Sequence, residues 1–529
     1  MTQEQRPAPY APESGRPSRR PWMLLSVALL FTAAFLGALV VVCSPWHDDE
    51  GFYMYAMRGI SEGKLPYFDF FHNQPPLMIL LFSPIVKIVG ASVSVAVGMK
   101  LAMLAIGLAG VVVCWWHFMK RGEVVSAVVY VTLIALNLPF IFLLSTIKSY
   151  SLTVLFTACA LYVLLNYKPS IGSAIAFGAL AGLAGVTRLP LVPVVGCLAL
   201  YYLLTDGVNK KSIIHAGAAC AAGAIAFWIV LIPFFLKDPS IVWYNIVTVN
   251  KLGNADVMEI DTAQFSDPVF IIKGLVYFFI KATRDYGVIL AIVAWVGLYP
   301  VLHIRQATHV ATLRAAGQRY ATEIVTMLAG AMIVGLHVIR PQPYNEYIAF
   351  SIPLLTFSIA AAAGKWARQL QPRLALGVCG VLVMIHLAHL PWLLITSLNT
   401  GTGKLPVAHL ATVAAAVRAH SSDSDQVIMH QTLAFVADRD LVPGLEYPIS
   451  STRRDDEEAA YWKRINPTMY VAAFDDPRVT LALLPESAIS PAVREKMNAR
   501  FDRVATYDHI LITGYGRSFG LYVAKHPDE

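Results

Sequence analysis

Long apolar runs separated by short polar segments fill the first three quarters of the chain. The runs 22–43, 101–113 and 374–385 contain no charged residue. Because a charge at the bilayer centre costs about 2.5–3.5 kcal/mol, such runs are typical of membrane-spanning helices. The pattern predicts these spans: 22–43, 75–90, 95–119, 122–144, 147–166, 171–187, 189–205, 213–236, 287–304, 321–340, 343–364 and 374–396.

Two long polar connections, 44–74 and 237–286, interrupt these spans, and lysine and arginine concentrate in other loops. The basic segments are 16–20, 120–121, 210–211, 305–319 and 365–373. Because basic loops stay in the cytoplasm, both long connections are predicted to lie outside. The predicted location is the plasma membrane, multi-pass, with a cytoplasmic N-terminus.

The number of crossings follows less directly from the pattern. Twelve crossings would put the two chain ends on the same side, which conflicts with the distribution of basic residues. Either the short run 75–90, which begins with Pro75 and Pro76, does not cross fully, or one span is missed. We therefore expect a polytopic α-helical membrane protein with roughly 11–13 spans.

The region 397–529 has the composition of a soluble domain. Helical spacing covers 407–417 and 487–500, and short apolar runs at 426–430, 479–484 and 509–513 are typical of strands. The sequence therefore predicts three parts: a disordered cytoplasmic tail (1–21), a transmembrane domain (22–396) and an extracytoplasmic α/β domain (397–529).

Composition excludes several function classes. Of the 529 residues, 57% are hydrophobic and only 14% charged, and the net charge of +7 is scattered over short loops. Nucleic-acid binding needs a concentrated basic face, so no nucleic-acid partner is expected. The six cysteines lie in apolar runs and none falls within 397–529, which argues against a disulfide-bonded domain.

Three acidic residues, Asp48, Asp49 and Glu50, follow the first predicted span directly. The apolar spacing of the next residues predicts an amphipathic helix over 51–61 on the membrane surface. Helix capping and solvation of that surface explain the acids without any chemistry. Acids at a membrane boundary are also typical of functional sites, so both interpretations stay open here.

The rest of this loop has a recognisable pattern. It reads Asp49-Glu50-Gly51-Phe52-Tyr53, then Gly63-Lys64-Leu65-Pro66-Tyr67, then Asn73-Gln74-Pro75-Pro76-Leu77. These elements, in this order, resemble the first external loop of the GT-C membrane glycosyltransferases. The resemblance is strongest to the branch with protein O-mannosyltransferases and the lipid A aminoarabinose transferase. Weaker matches follow at Gly178–Arg188 with Pro190, and at Tyr344–Tyr347 with Pro353.

The resemblance implies a fold, a reaction and partners. The fold is a GT-C transmembrane domain with a C-terminal external domain. The reaction moves a sugar from a polyprenyl-phosphate carrier to an acceptor, with inversion at the anomeric carbon. The implied partners are the lipid-linked sugar donor, a glycolipid, polysaccharide or protein acceptor, and the lipid bilayer.

The resemblance also implies roles for individual residues. Asp49 is the expected general base, supported by Glu50 and Asp48; no cofactor is assigned, and a divalent cation on Asp49 and Glu50 stays an open alternative. The expected donor-phosphate contacts are Arg58, Lys148, Arg188, Arg340 and Gln74, of which Gln74 stands where many members have lysine. The expected substrate contacts are Tyr53, Tyr67, Asp69, His72 and Tyr344.

Other functions compete with this one. A transporter or flippase of a lipid-linked glycan would show charges inside its spans and internal pseudo-symmetry, and the sequence contains no repeated halves. A ligase or polymerase that moves whole glycans uses similar chemistry and differs only in its donor. A receptor or scaffold function does not explain why acidic and aromatic residues occur together in this loop.

Overall fold

A computed structural model describes most of the membrane region and of the C-terminal domain. The described residues are 19–135, 137–249, 317–338, 349–369, 406–446, 466–486, 489–508 and 518–525, with Ile272, Val276 and Glu457. The predicted spans 287–304 and 374–396, and the site candidates Arg340 and Tyr344, lie outside them.

Helices occupy the described part of the membrane region. They are α1 Arg19–Cys43, α2 Asp48–Ser61, α3 Leu77–Val89, α4 Val93–Lys120, α5 Val124–Ala135, α6 Leu138–Ser145, α7 Tyr150–Asn166, α8 Ile171–Thr187, α9 Val192–Asp206, α10 Lys210–Lys237, α11 Pro239–Trp243, α12 Ala321–Val338 and α13 Ile352–Gln369. Among the described residues, four helical stretches are long and apolar enough to cross a bilayer: Arg20–Cys43, Val93–Lys120, Leu189–Asp206 and Lys210–Lys237. The other predicted spans in this part correspond to shorter apolar helices or to a bent pair.

That bent pair, α5 and α6, replaces the single predicted span 122–144. The two helices meet at 72°. Asn137 accepts a hydrogen bond from the Phe140 backbone N–H, and Pro139 occupies the first turn of α6, so a new helix begins at this point. The segment after α6, 146–149, contacts the first loop, where the Ile147 N–H donates to Glu50.

Helices α8 and α10 cross at backbone contact. A Cβ atom on Gly178 would lie 2.0 Å from the carbonyl oxygen of Ala219, and one on Gly182 would lie 2.2 Å from that of Gly223. The glycines spaced four residues apart therefore allow the close helix packing that this spacing indicates in membrane proteins.

The C-terminal region is an α/β domain. Its strands are β1 Gln426–Ile428, β2 Asp440–Leu441, β3 Val479–Pro485, β4 Phe501–Asp508 and β5 Ser518–Ala524, in the sheet order β2-β1-β3-β5-β4. β1 pairs in parallel with β2 and β3, and β5 pairs antiparallel with β3 and β4. The helices are α14 Pro406–Ala419, α15 Gln431–Ala437, α16 Pro467–Ala472 and α17 Pro491–Arg500. The predicted strand at 509–513 lies outside the described residues.

The C-terminal domain packs directly on α2, and one hydrophobic core runs through α2, α3, α4, α15 and the sheet. Gly51 of α2 allows this contact, because a Cβ atom there would lie 2.2 Å from the backbone nitrogen of Thr432. The Tyr55 hydroxyl accepts a hydrogen bond from the Leu441 N–H at 2.9 Å. Residues 50–57 and 59 of α2 are buried, so the helix is enclosed by protein on most of its sides. Its location at the membrane surface stays a prediction.

Candidate active site

The first loop positions its acids through the N-terminus of α2. His47 is the N-cap residue, and its backbone N–H donates to Glu50 Oε2 at 2.8 Å. Consecutive residues at a helix start point in different directions, so the three acids separate. Glu50 is fully buried, whereas the side chains of Asp48 and Asp49 are 38% and 29% exposed.

Lys148 meets the exposed side of this cluster. Its Nζ lies 2.7 Å from Asp49 Oδ2 and 3.2 Å from His47 Nε2. His47 Nδ1 lies 2.5 Å from Asp48 Oδ1 and accepts from the Asp49 backbone N–H at 3.3 Å, as the N-cap of α2. A nearly buried ammonium and a partly exposed carboxylate therefore face each other near the start of the loop.

Glu50 faces the interior and is surrounded by donors. Oε1 accepts from the Ile147 N–H at 2.9 Å, and Oε2 accepts from Lys100 Nζ at 3.1 Å as well as from the His47 N–H. The Lys100 ammonium also lies 4.4 Å from the centroid of the Trp46 ring. The two adjacent acids therefore have different surroundings, which their sequence positions do not reveal.

The described cluster with metal-ligand spacing is His47, Asp48 and Asp49, whose ligand atoms lie within 4.8 Å of one another. Glu50 does not belong to it, because hydrogen bonds from three donors already occupy its oxygens. The ammonium of Lys148 supplies positive charge beside Asp49, so a divalent cation would have to displace it. The expected pairing of Asp49 with Glu50 as metal ligands is not what the geometry favours.

A second cation, Arg188, is separated from Lys148 by the aromatic rings of Phe350 and Tyr150. It ends α8, and its Nη1 donates to the Tyr53 hydroxyl at 3.3 Å. Its guanidinium lies 5.4 Å from the centroid of the Phe350 ring, which stacks on Tyr150 at 4.6 Å. Lys148 Nζ lies 5.8 Å from the Tyr150 ring centroid, so two cations flank one aromatic group.

His72 lies in an aromatic cage. Its ring stacks on Phe52 at 4.8 Å between centroids, and Tyr53 and Tyr67 are 6.2 and 6.0 Å away. Complete burial lowers the pKa of His72 to about 3, so the ring is neutral at physiological pH. Tyr67 has φ of +74° and donates from its hydroxyl to the Gln74 carbonyl at 2.7 Å, which fixes the turn before Pro75.

Two predicted site residues lie elsewhere in the loop. Arg58 donates to Glu62 and to the Arg439 carbonyl, and pairs with Asp440 at 3.1 Å, so it binds the C-terminal domain. Asp69 Oδ2 accepts from the Leu65 N–H, a contact that closes a local turn. Of the predicted site residues that are described, the structure brings together Asp48, Asp49, Glu50 and Lys148, and separately Tyr53, Arg188 and His72.

Sequence reasoning missed three residues of the candidate site. Lys100 is a charge inside a predicted span, a signal that indicates a partner within the bundle. Phe350 and His430 have no such signal. His430 is the N-cap of α15 and lies close enough to Asp48 for that charge to affect its pKa, a proximity that only the docked C-terminal domain creates.

We expect the burial of His430 to make docking of the C-terminal domain sensitive to acid. Burial lowers its pKa to about 4, although the negative charge of Asp48 raises it. Because the fold favours the neutral ring, this stabilisation is complete above pH 6.5 and is lost as the pH falls towards 4, by about 2 kcal/mol at pH 5. We expect H430N, which keeps an N-cap oxygen, to lose less thermal stability between pH 7 and pH 5 than the wild type. Equal losses of thermal stability in both proteins would show that His430 is not the source of the acid sensitivity.

Comparison with solved structures identifies the architecture. ArnT from Cupriavidus metallidurans, bound to undecaprenyl phosphate, matches 96% of this chain and 98% of its own, with a TM-score of 0.58 and 14% identity. Its apo form matches with a TM-score of 0.58 and 16% identity, over 95% of this chain and 98% of its own. The Archaeoglobus fulgidus oligosaccharyltransferase tethered with an acceptor peptide matches 95% of this chain and 74% of its own, with a TM-score of 0.52 and 12% identity. No protein-family model and no curated protein sequence matches the chain.

These matches extend over nearly the whole chain, including the C-terminal domain. At such low identity they establish a shared fold, while the activity has to be argued from the site. ArnT and the archaeal oligosaccharyltransferase are both GT-C superfamily members. The fold expected from the acidic loop is thus confirmed, and the chain shares the fold of these GT-C structures.

Proposed function

We propose that this protein is a membrane glycosyltransferase that moves a sugar from a polyprenyl-phosphate carrier to an acceptor outside the cytoplasm. The observation that carries the proposal is the pairing of the partly exposed Asp49 with Lys148 at 2.7 Å. A carboxylate beside a cation is what acceptor deprotonation and departure of a phosphate require together. The GT-C fold supports this interpretation over a transporter.

Asp49 acts as the general base in this proposal. It takes the proton of the acceptor nucleophile, whose oxygen or other attacking atom forms a bond to the anomeric carbon. The bond from that carbon to the phosphate oxygen breaks on the opposite face, and its electron pair leaves with the polyprenyl phosphate. One displacement of this kind inverts the anomeric configuration.

Lys148 and Arg188 stabilise the departing phosphate. Both are nearly buried, at 3% and 8% exposure, so their charges are poorly screened by water and act strongly on a phosphate. Tyr53 holds Arg188, and Tyr150 and Phe350 lie between the cations. The roles expected of Arg58 and Asp69 are not included, because their contacts are structural; Gln74, Arg340 and Tyr344 keep their expected roles as proposals.

The C-terminal domain and the first loop share one side of the membrane, because α2 contacts α15. We propose that this side is the outer one, as the distribution of basic residues predicts. The acceptor, which is a glycolipid, a polysaccharide or a protein, then approaches from outside, beside Asp48 and Asp49.

The test is a transfer assay with purified protein in detergent or nanodiscs. Polyprenyl-phosphate hexoses and pentoses carrying radiolabelled sugars serve as donors, and a lipid and cell-envelope extract supplies acceptors. We expect label to move from one donor class to an acceptor with release of polyprenyl phosphate. Donor binding without transfer, accompanied by movement of lipid-linked sugar across proteoliposomes, would replace the proposal with a transporter.

A further inference from the structure

We infer that Glu50 is a positioning residue that holds the 146–149 segment in register, so that Lys148 reaches Asp49. The inference rests on the proposed function for its kinetic consequences. The structural part of the inference does not depend on the proposed function, since it concerns how one buried carboxylate fixes the backbone beside Lys148. The two adjacent acids thus have different roles. Asp49 acts on the substrate, and Glu50 fixes the backbone that carries Lys148, the partner of Asp49.

The surroundings of Glu50 require a carboxylate. Its two oxygens accept from two backbone N–H groups, those of His47 and Ile147, and from the Lys100 ammonium. An ionised carboxylate offers acceptors on both oxygens, whereas a glutamine must turn an NH₂ group towards one of these donors. Because the site is fully buried, the mismatch cannot be relieved by water.

The Ile147 contact connects Glu50 to Lys148. Residues 146–149 join α6 to α7, and the turn is tight, since the Lys148 N–H donates to the Thr146 carbonyl at 2.8 Å. Ile147 and Lys148 are consecutive, so a shift of the Ile147 backbone moves the start of the lysine side chain. Glu50 therefore links three separate parts of the chain: the start of α2, α4 through Lys100, and this turn.

The position of Glu50 also excludes it as a direct participant. The residue has no accessible surface, and both oxygens are occupied, so a substrate hydroxyl cannot approach it. Asp49, one residue earlier, is accessible and lies against Lys148. A catalytic role shared by both carboxylates would require an opening that the geometry of α2 does not provide.

A double-mutant cycle tests the inference through turnover. E50Q, K148M and the double variant are compared at saturating donor and acceptor. We expect E50Q to lower kcat by about 10²-fold through misplacement of Lys148. Because both changes act through the same ammonium, the double variant should be no slower than K148M alone. Losses that multiply in the double variant would show that Glu50 acts independently and would overturn the inference.

A second readout does not depend on catalysis. Labelling of Lys148 by an amine-reactive reagent, followed by mass spectrometry, reports how firmly the ammonium is held. We expect slow labelling in the wild type, because the side chain is 4% exposed and paired with Asp49, and labelling several-fold faster in E50Q. Unchanged labelling would overturn the inference even if the transfer assay finds no donor.

Two further variants separate positioning from general loss of stability. E323Q breaks a comparable ion pair, Glu323 with Lys365 at 2.6 Å, in a different pair of helices. It should lower thermal stability while leaving Lys148 labelling and kcat near wild-type values. E50Q/K100M removes the ammonium left without its carboxylate, so it should fold better than E50Q while Lys148 stays readily labelled. Wild-type labelling in that variant would contradict the role of the Ile147 contact.

Discussion

The variant D49N is expected to lower kcat for sugar transfer by about 10²–10⁴-fold, the range that a general base contributes. Asparagine keeps the size of the side chain but cannot accept the acceptor's proton. Because Asp49 is partly exposed at the start of α2, the change should leave folding and donor binding nearly unaffected. Turnover, donor affinity and thermal stability of the purified variant measure the three effects separately.

Asp48 provides a matched control for this experiment. It is the neighbouring carboxylate, it is similarly exposed, and its Oδ1 lies against His47 Nδ1. D48N should therefore reduce turnover much less than D49N. If D48N removed turnover and D49N did not, the base would be Asp48. If both variants lost turnover equally and added Mg²⁺ or Mn²⁺ restored it, both carboxylates would belong to a metal site with His47.

The variant G51A is expected to impair both turnover and stability, although it adds only one methyl group. A Cβ atom at this position would lie 2.2 Å from the Thr432 backbone nitrogen and 2.5 Å from its Oγ1. Backbone atoms cannot rotate away, so α2 and α15 must separate. Asp49 lies two residues before Gly51, and displacement by about 1 Å can cost about 10²-fold in rate.

Gly98 of α4 provides the control for this prediction. It also lies in a helix, but a Cβ atom there would meet no heavy atom within 4 Å. G98A should therefore keep full turnover and equal or raise thermal stability, since alanine favours a helix by about 1 kcal/mol over glycine. Wild-type turnover in G51A would show that the C-terminal domain does not need to pack on α2 for catalysis.

The helices of the membrane region were predictable because their signal is local. Apolar runs such as Trp22–Cys43 and Ile213–Leu236 need no partner to be read as helices, and the structure places α1 and α10 over them. Within the apolar run 122–144, Asn137 and Pro139 form a helix start, so the single predicted span is two helices in the structure. The edge strand Phe501–Asp508 was missed because most of its side chains are exposed and its sequence has no continuous apolar run.

The site was predictable in part. The motif located the acids and Arg188, and a charge in a span could have located Lys100. It singled out Asp49 as the expected base, but it did not predict that Glu50 points inward, since adjacent residues in a sequence have the same apparent environment. Arg58 looked like a phosphate ligand because its charge was visible, whereas its partners Asp438 and Asp440 lie about 380 residues away along the chain.

The sequence by itself determined the helical membrane architecture, the α/β character of the C-terminal domain and the family resemblance of the first loop. Hydrophobic periodicity and short motifs extend over a few residues, so they can be recognised in a single sequence. Only the tertiary structure decided that the C-terminal domain covers α2, that Lys148 faces Asp49 and that Glu50 points inward. Each of these depends on packing between segments distant in sequence, where burial and geometry select one set of partners among many possible ones.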